Sequence, residues 1–384
     1  MEVKISENIR YIGASVYDLD LFESQYIIPK GMAYNSYVII DEKIAVMDTV
    51  DKIVSRQWED NLKKELGGRA PDYLVVQHLE PDHSADIQRL SELYPEMTII
   101  CSVKAKAMLP QFADVDMDRV TAVKEGDRLE LGAHTLNFIT APMVHWPEVM
   151  LSYESSEKVL FSADAFGKFG VIDADEAWNC EARRYYFNIV GKYGAQVQAL
   201  LKKASGLEIN TICPLHGPVL TDTIPEVIGL YDTWSKYEPE NQGVFIAYAS
   251  IHGNTAEAAK KIKGILEAKG CPRVAIADLS RDDIAECVED SFRHSTLLCM
   301  ASSYDGGVFA PMSDFLHHLQ SKAFQNRRVA LVENGSWAPT AVKTMRAEFE
   351  KMKNIELVEK TVTIKTRVTD DNIKELEALA DIIK

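Results

Sequence analysis

No run in the 384-residue sequence approaches the roughly 18 apolar residues that a membrane-spanning helix needs. The first ten residues, MEVKISENIR, contain no apolar stretch of the kind found in a secretory leader. Neither a membrane span nor an export signal is therefore expected. Basic residues are scarce as well: 42 Lys and Arg against 58 Asp and Glu leave a net charge of −16. That balance argues against nucleic acid and against anionic membrane surfaces, and leaves small molecules and proteins as partners. The six cysteines (Cys101, Cys180, Cys213, Cys271, Cys287 and Cys299) include no CxxC pair. Flanks such as TIICS and LLCMAS point to buried thiols in a reducing cytoplasm. Fixed-period repeats and low-complexity tracts are also missing.

What is present suggests two domains, each long enough to bury a core. Residues 1–220 mix strands and helices. GMAYNSYVIIDEKIAVMDTV reads as a hairpin around a polar DEK turn, SRQWEDNLKKEL as a helix, and DYLVVQH as a short buried strand. A helix near SADIQRLSELY, the strand MTIICS and the paired strands of LELGAHTLNFITAP and VMLSYESSEKVLFSAD follow. This mixture predicts stacked sheets with helices outside. Residues 221–242 form a polar, proline-containing stretch, the expected linker. From 243 to 384 strands and helices alternate strictly, which predicts a doubly wound parallel sheet of five strands.

In that second half, YASIHGNTAEAAKK places Ser250, Gly253, Asn254 and Thr255 between the first strand and the first helix. Small residues let the backbone curl around an anion, while hydroxyls and free N–H groups at the helix start donate to it. The plainer reading is a capped βα turn. It weakens because two further loops, SSYDGG (Ser302 to Gly307) and NGSW (Asn334 to Trp337), fall at strand ends where this fold binds ligands. The set resembles flavodoxin, which holds FMN noncovalently. The resemblance implies phosphate contacts from Ser250, Gly253, Asn254 and Thr255. It implies flavin contacts from Ser302, Tyr304, Asp305, Gly306, Gly307, Asn334, Gly335 and Trp337. Ser303 and Asn334–Gly335 depart from the usual loop sequences.

In the first half, VVQHLEPDHSAD packs His78, Glu80, Asp82 and His83 into six positions, directly after a strand. Ser84 reads as the cap of the following helix, and an extended loop would put His78, Glu80 and Asp82 on one side. His145 in APMVHWPE, Asp164 after LFSA and His216 in TICPLHG repeat the arrangement of a ligand-type residue just after an apolar run. Each alone is more often a structural polar residue; the repetition favours a metal site. His252 and the His317–His318 pair lack such a context.

The seven residues resemble the metal ligands of the metallo-β-lactamase fold, with Glu80 standing where that family carries a second histidine. Exchanging imidazole for carboxylate moves a site from zinc towards iron. The H-x-E-x-D-H form, followed by a flavodoxin-like domain, resembles the flavodiiron proteins over nearly the whole chain. The resemblance implies a metallo-β-lactamase-like αββα sandwich, with His78, Glu80 and His145 on one iron. Asp82, His83 and His216 would bind the other, and Asp164 would bridge them. The residue at the position of His83 is not an iron ligand in every member of the family. Tyr193, in GKYGA, is similar to a family tyrosine near the substrate pocket, and Trp146 would shield the site, face the flavin or serve packing alone.

The same resemblance implies an oxidoreductase that scavenges O2 or NO in an anaerobic or microaerobic cell, giving water or N2O. Two irons and FMN would supply the electrons. A rubredoxin-type donor with its reductase and a head-to-tail homodimer, or a dimer of dimers, are the implied partners. Two rival readings are a zinc hydrolase, which leaves Glu80 and the flavin loops unexplained, and a non-catalytic FMN electron carrier with a decayed metal site.

Overall fold

The computed structural model describes Val3 and residues 5–384. Contacts divide the chain into two compact units: Met1–Tyr186 with Ala195–Asp232, and Phe187–Gly194 with Thr233–Lys384. Part of the stretch read as a linker is a helix, Ile224–Ser235. The change of unit falls near its end.

The first unit is a sandwich of two sheets. One has six strands, in the order Ile9–Tyr11, Tyr37–Ile39, Ala45–Met47, Tyr73–Val76, Thr98–Ser102 and Val120–Val123. The other has five, from Arg128–Glu130 through Thr135–Thr140, Met150–Glu154 and Val159–Phe161 to Thr211–Cys213. The expected DEK hairpin is there, with Tyr37 opposite Met47. Alternation decides which side chains enter the core: Tyr37, Ile39, Ala45, Met47, Val75, Phe138, Met150, Val159, Phe161 and Cys213 form one apolar cluster. The helix Ser55–Leu66 covers the outside with Trp58, Leu62 and Leu66 buried, one face at helical spacing. It ends at Gly67, whose φ of 57° is the left-handed cap that glycine adopts without strain.

The second unit is a doubly wound sheet. Its parallel strands run in the order Val274–Asp278, Asn241–Ala249, His294–Tyr304, Arg327–Asn334, and then the last strand. This is the 2-1-3-4-5 order of flavodoxin-like folds. The last strand is split: Ile355–Leu357 and Val362–Ile364 each pair with Arg327–Asn334. A two-residue strand, Gly307–Val308, folds back antiparallel on Ser303–Tyr304. The helices Asn254–Ala268 and Asp370–Ile383 pack their apolar faces onto the sheet through Ile262, Leu266, Leu376 and Leu379. Full burial of each such side chain contributes about 1.5–3 kcal/mol.

Candidate metal centre and flavin site

All seven candidate ligands sit at one end of the sandwich, because each follows the end of a strand. His78 and Glu80 follow Tyr73–Val76, His145 lies between paired strands, Asp164 follows Val159–Phe161, and His216 follows Thr211–Cys213. The loop after His78 does not stay extended. Pro81 starts a helical turn, Pro81–Ser84, and its fixed φ suits that first position. The turn swings Asp82 and His83 away from His78 and Glu80. Ser84 is therefore not the cap of the following helix. Its hydroxyl donates to the Leu79 carbonyl at 2.8 Å, and the helix Ile87–Leu93 begins after Asp86.

The result is two groups. His78, Glu80, His145 and Asp164 offer donor atoms to one point; Asp82, His83 and His216 offer them to a second. Asp164 faces both. Its Oδ2 lies 3.1 Å from His145 Nε2 and 3.7 Å from His78 Nε2, while Oδ1 lies 3.2 Å from His83 Nε2 and 3.9 Å from His216 Nε2. Glu80 Oε2 is 3.0 Å from His145 Nε2 and 3.2 Å from His78 Nε2; Asp82 Oδ2 is 3.2 Å from His216 Nε2. Donors that share one first-row metal at about 2 Å lie this far apart. Both oxygens of Asp82 and Oδ1 of Asp164 are buried without a hydrogen-bond partner. Buried carboxylate oxygens are costly unless a cation satisfies them, so this donor set fits a pair of metal ions.

Electrostatics point the same way. Burial disfavours charge on His78, His145 and His216, yet the facing carboxylates outweigh it and raise all three, His145 to about 9. Burial likewise opposes ionisation of Glu80 and Asp164. The imidazoles overcome it, taking Glu80 down to about 2 and Asp164 well below the usual carboxylate range. Glu80 and Asp164 are thus held in the charged form that suits a cation.

Several supporting residues escaped the sequence reading. Glu148, fully buried, has Oε1 2.8 Å from His78 Nδ1 and accepts the Leu79 N–H at 3.0 Å, which fixes the ring's outer nitrogen. Its place two residues after Trp146 in HWPE was the only hint. Asp48 accepts the Gln77 N–H and Nε2–H and the His78 N–H, anchoring the ligand's backbone. Burial raises it to about 6 despite those bonds. Thr49 donates through both N–H and hydroxyl to the His83 carbonyl. His216 Nδ1 lies 2.8 Å from the Ala33 carbonyl oxygen, and Asn35 Nδ2 donates to Pro214 and Gly217 on either side of it.

Aromatic rings wall the second group. Phe22, Tyr34 and Tyr185 stand 5.3, 5.8 and 5.7 Å from the His216 ring. The buried Tyr185 hydroxyl has no hydrogen-bond partner. Burial first, then the field of Asp164 and Glu80, raises its ionisation far above the phenol range, so it keeps its proton. Tyr193 lies in the segment grouped with the second unit, and its ring contacts Lys192. Trp146 packs edge-on against His78 at 5.3 Å.

The second unit holds a cavity of about 530 Å³ at the carboxyl ends of its strands. Ser250, Asn254 and Thr255 line it from the first loop, Ser302, Tyr304, Asp305 and Gly306 from the second, and Asn334, Gly335 and Trp337 from the third. Ser303, His252 and Thr366 line it too. Gly253 and Gly307 lie beside the lining residues. Gly253 (φ 89°) turns the chain into the helix Asn254–Ala268, and Gly307 pairs with Tyr304. Tyr304 is half exposed and Trp337 is 92 % exposed, so two aromatic side chains stand open at the rim.

Comparison with known proteins agrees with both halves. Residues 32–217 match the family model described as ODP family beta lactamase. The chain is 28% identical over 363 residues to the anaerobic nitric oxide reductase flavorubredoxin of Escherichia coli O1:K1, covering 91% of this chain and 75% of that one. The chain is thus similar in sequence to a flavorubredoxin and in fold to flavodiiron proteins. Among solved structures it superposes on rubredoxin oxygen:oxidoreductase from Desulfovibrio gigas with a TM-score of 0.92 at 25% identity, covering 100% of this chain and 98% of that one. The flavodiiron protein of Giardia intestinalis gives 0.93 at 22% identity, covering 100% and 96%.

Proposed function

We propose that this chain is a flavodiiron oxidoreductase that reduces O2 to water, NO to N2O, or both. The observation that carries the reading is one carboxylate, Asp164, shared between two imidazole-and-carboxylate groups in a chain that also has a flavodoxin-type loop cavity. His78, Glu80 and His145 would hold one iron and Asp82, His83 and His216 the other, with Asp164 between them. The flavin would lie in the cavity of the 243–384 domain, and the irons in the 1–220 domain. When bound, the irons and FMN supply the electrons and the sites where a diatomic ligand is bound and polarised.

The chain's own residues do the rest. Glu148 and the Ala33 carbonyl orient His78 and His216 through their outer nitrogens. Phe22, Tyr34 and Trp146 exclude water from the ligands. Both reductions consume protons, and Tyr185, whose ring lies 5.7 Å from that of His216 and whose hydroxyl stays protonated, is placed to hold one. We assign the pocket-tyrosine role to Tyr185 rather than Tyr193 on that packing.

Electrons would come from a rubredoxin-type donor with its reductase. The flavin of one subunit would serve the metal pair of another in a head-to-tail homodimer or a dimer of such dimers. Among the described residues no helix is long and apolar enough to cross a membrane, and the six cysteines are free thiols. Both fit a cytoplasmic enzyme.

The test is metal and flavin content of protein purified without added metal, followed by O2 and NO consumption with a reduced donor. About two irons and one FMN per chain, with turnover, is the expected result. Two zincs, or FMN with a metal site that ferrous iron cannot fill, would overturn it.

A further inference from the structure

The two places where the flavin loops depart from the usual sequences, Ser303 and Asn334–Gly335, meet in the structure. Ser303 lies near the end of the strand His294–Tyr304, half-buried against the cavity. Its Oγ accepts the N–H groups of Thr340 at 2.8 Å and Ala341 at 3.1 Å. These two residues open the helix Ala341–Phe349, whose N-cap, Thr340, makes no side-chain cap of its own. A helix start leaves its first N–H groups without intrahelical partners, and a local side chain normally meets one of them. Here distant residues do so: Ser303 takes two, and Glu333 Oε2 accepts the Val342 N–H at 2.9 Å. Thr340 instead donates its hydroxyl to the Gly307 carbonyl at 2.8 Å, a second tie between the same two loops. Gly335 makes room for this arrangement. A Cβ there would stand 2.9 Å from Ser303 Oγ and 2.7 Å from Pro339 Cα. Its φ is outside the left-handed region, so close approach rather than conformation calls for glycine.

We propose that Ser303 is a flavin-positioning residue, whose hydroxyl locks the Trp337 loop against the Tyr304 loop and so shapes the ring end of the cavity before flavin enters. This rests on the flavin reading above. The loop needs such a hold. Residues 335–340 form neither helix nor strand, and they carry the exposed Trp337. At the start of the loop Asn334 exchanges two hydrogen bonds with Thr366, donating from Nδ2 at 2.9 Å and accepting at Oδ1 at 3.0 Å. At its end the hold is Ser303. A loop ordered beforehand loses less conformational entropy when a ligand binds, so affinity rises without any new contact to the ligand. Ser303 and Gly335 act as one unit, because a side chain at position 335 would displace the hydroxyl.

The experiment uses the full chain stripped of flavin, titrated with FMN and separately with riboflavin, and followed by flavin fluorescence. Ser303→Ala should weaken both flavins by the same factor, about tenfold, because the loop serves the ring that the two share. Gly335→Ala should do the same. The double variant should bind no more weakly than either single one, since both substitutions break one contact. Visible circular dichroism per bound flavin should change in all three variants, which a merely less stable domain would not show. A loss confined to FMN, additive losses in the double variant, or unchanged affinity and dichroism would each overturn the inference and leave the flavin site standing. So would failure of both single variants to fold, which would assign the contact to the fold alone. Failure of wild type to bind either flavin would overturn both readings.

Discussion

Asp164 and Glu148 are both buried carboxylates beside histidines, but their surroundings give them different work. Asp164 presents one oxygen to each ligand group, whereas Glu148 faces only the outer nitrogen of His78 and a backbone N–H. Replacing Glu148 with Gln keeps the shape and removes the charge behind the ring. Metal affinity should fall roughly 10- to 100-fold, read by competition with a chelator. Tyr185→Phe removes one hydroxyl that has no protein partner, so fold and iron content should be unchanged. Turnover should fall roughly 10-fold or more if the hydroxyl delivers a proton, and an unchanged rate would remove Tyr185 from the mechanism. The ligand types were legible because each stands just after an apolar run. Glu148, Asp48 and Tyr185 were not, since their partners lie tens of residues away and no local pattern marks such pairs.

Short elements aim the ligands. The Pro81–Ser84 turn separates Asp82 and His83 from His78 and Glu80, and the strand Met32–Tyr34 with Asn35 holds the His216 loop from the opposite side. Asn35 is fully buried and donates to two carbonyls flanking His216. Asn35→Ala should cost about 1–3 kcal/mol, seen as a lowered denaturation midpoint. Metal should be lost from the His216 group before the His78 group. Equal loss from both would mean that Asn35 serves the fold alone. The hairpin, the Ser55–Leu66 helix and the second-domain alternation were readable from periodicity. The helical turn at Pro81 was not, because Asp82, His83 and Ser84 carry no apolar period and proline is compatible with both an extended loop and a helix start.

Across the whole first unit the two ends of the sandwich have different chemistry. The candidate ligands occupy one end; at the other, the buried His134 ties three turns together. Its Nδ1 lies 2.6 Å from Asp41 of the Tyr37–Met47 hairpin, and its Nε2 lies 3.0 Å from Glu157 of the Met150–Phe161 hairpin. Burial disfavours its charge, but Glu157 and Asp41 outweigh that and raise it above 6.5. The linkage sign is that of a raised cation: the stabilisation is full below 6.5 and fades as pH rises through the folded value. The stability gap between wild type and His134→Asn should therefore narrow from about pH 6 to about pH 9 in urea melts. A constant gap would mean that His134 contributes only packing. By itself the sequence determined the two-domain plan, the parallel second sheet and the kinds of candidate ligand present. These follow from apolar period and residue chemistry, which are local. Only the tertiary structure decided which ligands share a point, which carboxylate faces both groups and which tyrosine meets them. Those depend on how strand ends from residues 32 to 216 converge, and convergence over that distance is set by packing.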